Sequence, residues 1–148
     1  MKKNRFLPIL LFSCIQLIFS TAQAQSQELR VKVSDIRSAK GKIILNVFKD
    51  EASYEKQQPY TTLSFDKKAI SNGVLMVKGT VATGIYGITL IDDENGNGKL
   101  EKNFMGIPKE GFGFSNFFMT KMKKPAFNEF KFELKPGSSV VEIKTKYM

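Results

Sequence analysis

The 148-residue chain contains no histidine and no tryptophan, and its single cysteine, Cys14, lies in an apolar run near the N-terminus. Each absence removes a class of chemistry. Without imidazole, the usual Ser-His-Asp and Cys-His nucleophilic sites are excluded. Zinc, copper and haem centres that need imidazole or thiolate ligands are excluded with them. One cysteine cannot form an intrachain disulfide, so stability must come from packing. What remains is oxygen chemistry: carboxylates, amides, hydroxyls and backbone carbonyls. Those donors suit calcium or magnesium.

Long apolar runs are also few. The one at the N-terminus spans Phe6 to Phe19 and is broken only by Pro8, Ser13 and Gln16. It follows Lys2, Lys3 and Arg5 and leads into Ser20-Thr21-Ala22-Gln23-Ala24. A basic start, a short apolar middle and a small-x-small exit predict a secretory signal peptide over residues 1–24, cut after Ala24. The run is short for a membrane span of roughly 20 residues. Lipid attachment at Cys14 is the weaker expectation, because Phe12 is bulky and the apolar run continues past the cysteine. Cleavage removes three positive charges and no acid, so the net charge of +9 falls by three to +6. Residues 25–148 suit one domain with one core. The expected location is the periplasm or the extracellular space, with no transmembrane segment in the mature chain.

The mature segment is rich in period-two alternation. Leu29, Val31 and Val33 alternate with Arg30, Lys32 and Ser34; Thr61 to Asp66 repeats the pattern. Ile43 to Phe48 is apolar on both faces, as a central strand would be. Lys49 to Tyr60 reads as a loop with one helical turn near Ala52 to Lys56. Ser71-Asn72-Gly73 is a turn signal before a strand from Val74 to Val81. Ile85 to Ile91 is almost wholly apolar, with Gly87 marking a bulge or a close neighbour. Phe130, Phe132 and Leu134 alternate, and after Pro136-Gly137 so do Val141, Ile143, Thr145 and Tyr147. About seven short strands with no long 3.6-residue period predict an all-β antiparallel sandwich, immunoglobulin-like or prealbumin-like. A small barrel is the second architecture. A long Gly/Phe-rich loop, Phe104 to Phe127, shows no clear periodicity. It reads either as an aromatic binding surface or as a plug over the open end of the sandwich.

The densest chemistry follows the strand at Ile85. Asp93-Glu94-Asn95-Gly96-Asn97-Gly98-Lys99-Leu100-Glu101 sets oxygen-bearing side chains at alternate positions and glycine at the sixth. In calcium loops of this kind the first, third and fifth side chains ligate and the seventh residue gives its carbonyl. The expected ligands are Asp93, Asn95, Asn97 and Lys99 through its carbonyl, with Glu101 direct or through water and Asp92 in reserve. An EF-hand is not expected: position twelve is Phe104 instead of a bidentate glutamate, and a strand precedes the loop. Affinity would be weak, about 10⁻⁴ to 10⁻³ M, as in extracellular modules. The competing expectation is a metal-free turn, because Asn-Gly dipeptides and Asx side chains close such loops unaided.

The segments Asp93 to Leu100 and Asn103-Phe104-Met105-Gly106-Ile107-Pro108-Lys109-Glu110-Gly111-Phe112-Gly113-Phe114-Ser115-Asn116 resemble the secreted bacterial family known as domain of unknown function 2141. So do Gly84-Ile85-Tyr86 and Lys124-Pro125-Ala126-Phe127 before the strand at Phe130. The resemblance implies an exported β-sandwich and brings no catalytic residues. One departure is Asp92, where that family commonly has histidine.

Three functions are compared. The first is a non-catalytic exported binding or structural module of the cell envelope, with a calcium loop and an envelope protein or glycan as partner. The second is a small hydrolase pairing Asp92 or Asp93 with Glu110. The third is a docking module using Phe112 to Phe118. Nucleic-acid binding is not expected, since no recognised motif accompanies the charge.

Overall fold

The computed structural model describes residues 25–138 and 140–148. The signal-peptide expectation for residues 1–24 lies outside them. Eight strands form: β1 Ser26–Ser34, β2 Lys42–Phe48, β3 Thr61–Asp66, β4 Leu75–Ala82, β5 Gly84–Asp93, β6 Gly111–Phe114, β7 Lys131–Leu134 and β8 Val141–Lys144. Two short helices, α1 Glu51–Glu55 and α2 Phe127–Phe130, complete the elements among the described residues. Helix α1 realises the expected helical turn, and the Asp50 carboxylate caps it by accepting the Ser53 N–H at 2.7 Å.

The strands make two sheets, β4-β1-β8 and β3-β2-β5-β6, with β7 pairing beyond β6 on the same side of β5. The all-β sandwich is therefore observed. Its core is assembled from alternate residues of both sheets: Leu29, Val31 and Val33 face Leu45, Val47, Ile88 and Leu90, with Val141 and Ile143 alongside. Each such side chain, once fully buried, contributes about 1.5–3 kcal/mol. The antiparallel expectation holds for every ladder except one: β8 runs parallel to β1. The Pro136-Gly137 turn carries the chain from the sheet containing β7 to the sheet containing β8, so it is not a hairpin.

The Gly/Phe-rich segment is more ordered than its lack of periodicity predicts. Strand β6 lies within it and is buried at all four residues. Alternation is hidden because both of its faces are covered. Phe112 and Phe114 point away from the main core into a second cluster with Phe48, Tyr54, Met119, Phe127 and Phe130. Gly111 and Gly113 point inward, where a Cβ on Gly113 would stand 2.6 Å from Ile143 Cγ2 and 2.8 Å from the Lys144 carbonyl oxygen. The aromatic segment thus covers the outer face of the five-stranded sheet rather than plugging the end of the sandwich. Gly87 is the close-neighbour case and no bulge: its ladder with β2 is continuous, and a Cβ there would meet the rings of Phe130 and Phe127. Phe130 itself belongs to α2, and the strand begins one residue later.

Candidate metal centre

Strand β5 ends in two aspartates, and period two sends them to opposite faces. Asp92 points inward with Tyr86, Ile88 and Leu90. It is fully buried and forms an ion pair with Lys67, which is also fully buried. The Tyr147 hydroxyl donates to the other Asp92 oxygen, Oδ2. Burial pushes the Tyr147 phenol up, and its hydrogen bond to Asp92 adds to the shift. Tyr147 also accepts the Arg37 backbone N–H, and the Arg37 guanidinium stacks on its ring at 4.3 Å. Arg37 then forks onto Glu94, which also accepts the Ser38 hydroxyl. The Arg37 hydrogen bonds hold the Glu94 carboxyl down at about 2.

Asp93 points outward into the loop. It is buried, and its carboxylate accepts three backbone N–H groups: Gly96 at 2.9 Å and Asn97 at 3.1 Å on Oδ1, and Gly98 at 2.9 Å on Oδ2. The loop curls because these amides converge on one anion. Gly41 packs beneath, with positive φ and so close that a Cβ would fall 1.9 Å from the Asp93 carbonyl oxygen. The next two amide side chains reproduce the motif: Asn95 Oδ1 accepts the Asn97 N–H, and Asn97 Oδ1 accepts the Lys99 N–H, both at 2.9 Å. Their amide nitrogens both donate to Glu101.

The expected ligand set is therefore partly gathered. Asn95, Asn97 and Glu101 meet through their side chains on the exposed side of the loop, while Asp93 lies at its buried base. Lys99 is exposed and takes part through its backbone. Asp92 is not a reserve ligand: it faces the main core and is committed to Lys67 and Tyr147. Among the described residues, no three histidine, cysteine, aspartate or glutamate side chains are gathered closely enough to hold a metal by themselves. Amide and carbonyl oxygens have to supply part of any coordination shell. They keep that capacity, since an oxygen accepting one N–H retains a second lone pair.

Beyond the loop, Glu101 to Lys109 folds back as a narrow hairpin. Lys109 N–H donates to the Glu101 carbonyl and Asn103 N–H to the Ile107 carbonyl. Asn103 Oδ1 closes the tip by accepting the N–H groups of Met105 and Ile107. Phe104 at that tip is 97% exposed and Met105 65%. By contrast Phe112 and Phe114 are buried, so most of the segment expected to dock a partner is interior.

Sequence reasoning missed Lys67. It follows the β3 alternation as one of two consecutive lysines, and nothing local marks it as interior. Tyr147 was legible, since it continues the inward set Val141, Ile143 and Thr145. Among the described residues, no helix is long and apolar enough to cross a membrane.

No curated protein and no solved structure matches the chain. The bacterial family described as an uncharacterized protein conserved in bacteria, domain of unknown function 2141, matches residues 31–142, from the middle of β1 into β8 and through the whole of the loop and hairpin. The chain belongs to that family.

Proposed function

We propose that this protein is a non-catalytic exported module of the cell envelope that holds a calcium ion in the Asp93–Glu101 loop. Export rests on the basic start, apolar run and small-residue exit of residues 1–24. The observation that carries the calcium reading is the meeting of Asn95, Asn97 and Glu101 above the buried carboxylate of Asp93. Alternate side chains turn to one side: their amide nitrogens meet Glu101, and their oxygens, each accepting one loop N–H, keep a lone pair for calcium, which takes several such hard donors. Bound calcium would replace the Asn-to-Glu101 hydrogen bonds with metal–oxygen contacts. The non-catalytic reading is supported by the state of the two aspartates. Asp92 is tied to Lys67 and Tyr147, and Asp93 to three amides, so both carboxylates are committed to contacts within the fold.

Calorimetric titration of the protein with calcium chloride tests this. At a Kd of about 10⁻⁴ M, 10 mM calcium stabilises the fold by about 2.7 kcal/mol, which raises the melting temperature by several degrees. No heat and no rise in melting temperature at that concentration overturns the reading.

A second reading has its own observation. Phe104 and Met105 stand out from the protein on a turn fixed by Asn103, beside exposed Lys102 and Lys109. This tip is the surface offered to an apolar pocket of an envelope protein. Replacing both with aspartate abolishes co-sedimentation with envelope fractions if the tip docks. Unchanged co-sedimentation removes this reading.

A further inference from the structure

We infer that Glu110, outside the loop, is the carboxylate that closes the calcium shell, doing from the neighbouring strand what position twelve does in an EF-hand. The inference rests on the calcium reading above and adds a ligand that the loop's own spacing does not contain. Position twelve is Phe104, whose side chain is almost entirely in solvent. The hairpin from Glu101 to Lys109 returns the chain to the loop, and Glu110 is the first residue after it.

Three observations place Glu110 there. The β5–β6 ladder pairs Asp92 with Gly111. Continued by one residue, that register sets Glu110 opposite Asp93, and alternation puts both side chains on the outer face. Directly opposed residues of an antiparallel pair hold their Cβ atoms about 4.5–5.5 Å apart, close enough for two carboxylates to share one cation. Next, Glu110 Oε2 accepts the Glu101 N–H at 3.5 Å, so the carboxyl group rests against the residue that ends the loop. Last, Glu110 is only 5% exposed, and its Oε1 is buried with no hydrogen-bond partner. Among the described residues, the other orphaned buried side-chain atoms are the hydroxyls of Tyr54 and Thr145, so Glu110 alone leaves a carboxylate oxygen unmatched.

A buried carboxylate with one oxygen unmatched, beside a second carboxylate, is costly unless something positive lies between them. Lys67, the buried cation among the described residues, is on the other face and bound to Asp92. A divalent cation between Asp93 and Glu110 relieves both the orphaned oxygen and the repulsion. The amide oxygens of Asn95 and Asn97 and the Lys99 carbonyl fill the remaining positions, with Glu101 ligating through water. Long flexible carboxylates and neutral oxygens in a loose cage favour calcium over magnesium, which demands a tighter octahedron.

The test is calorimetric titration of the full chain with calcium chloride, for the native protein and for Glu110→Gln, Glu110→Asp and Glu101→Gln. Native protein binds, and Glu110→Gln raises Kd at least about tenfold, more than Glu101→Gln does. Glu110→Gln also melts no lower than the native protein without calcium, because it removes an uncompensated buried charge, and it loses the calcium-dependent rise. If Glu110→Gln fails to fold, Glu110→Asp carries the comparison: its carboxyl is one methylene short of the site, and its Kd rises as well. Calcium binding by the native protein with an unchanged Kd in the Glu110 variants overturns this inference and leaves the loop reading standing. Absence of binding by the native protein overturns both.

Discussion

Asp92 and Asp93 are neighbours in the chain and opposites in the fold. One ends the inner face of β5, the other starts the loop on its outer face. Both are buried, and their negative charges are handled in different ways. Asp92 meets a side-chain cation, Lys67, and a phenol from the last residues of the chain. Asp93 meets only backbone dipoles, three N–H groups of its own loop. The first arrangement ties together β5, the segment after β3, and the C-terminal tail, so it depends on distant parts of the chain. The second is made within six residues. The inner end is therefore a tertiary lock, whereas the outer end is a local knot with an unmatched oxygen from Glu110 beside it.

Breaking the lock has the largest expected effect. Lys67→Met leaves Asp92 buried without its cation and lowers stability by about 3–5 kcal/mol, read as the urea midpoint. The double variant Lys67→Met with Asp92→Leu recovers most of that loss, because the pair itself contributes little once both charges are gone. A double variant as unstable as the single one shows that the pair does more than compensate its own burial.

Loosening the knot costs less and stays local. Asp93→Asn removes one charge-accepting oxygen and sets an amide donor against loop N–H groups. Without calcium it lowers stability by about 1–3 kcal/mol. Hydrogen exchange of the Gly96, Asn97 and Gly98 amides speeds up more than exchange in β5. Uniformly faster exchange across the sheet contradicts the division between lock and knot.

The smallest effect links the two regions. Glu94 lies next to Asp93 in sequence yet reaches Arg37, which stacks on Tyr147 of the lock. Its carboxyl sits at about 2 in the fold against an ordinary 4.5. The folded pKa is depressed, so this stabilisation is complete above pH 4.5 and is lost as pH falls toward 2. The Arg37 side chain is 48% exposed, so solvent screens the pair and the loss is about 1 kcal/mol or less. Arg37→Ala flattens this part of the acid limb of the stability curve. An unaltered limb shows that other carboxylates account for it.

Much of this is legible in the sequence. Alternation in Leu29 to Ser34 and Thr61 to Asp66 fixes which residues face inward, and turn residues at Ser71-Asn72-Gly73 fix where strands stop. The loop was legible because its hydrogen bonds are local: Asp93, Asn95 and Asn97 each bond to amides two to five residues ahead. Strand β6 was not legible. Its glycines supply no apolar signal on the inner face, and they are there because β8 and its tail pass too close for a side chain. Nor was the covering role of Phe112 and Phe114, which depends on Phe48 and Tyr54 lying across the same sheet.

By itself the sequence determines the all-β class, the strand pattern, the oxygen-only chemistry and the curled loop, because each follows from periodicity, composition or bonds within a few residues. Only the tertiary structure decides that β8 runs parallel to β1, that Lys67 finds Asp92, and that Glu110 comes to rest opposite Asp93. Those pairings join residues from 17 to 110 positions apart, by the ladders and contacts that bring them together. No local preference encodes them. They arise when two sheets close on one core and the charged groups trapped at its end must find partners.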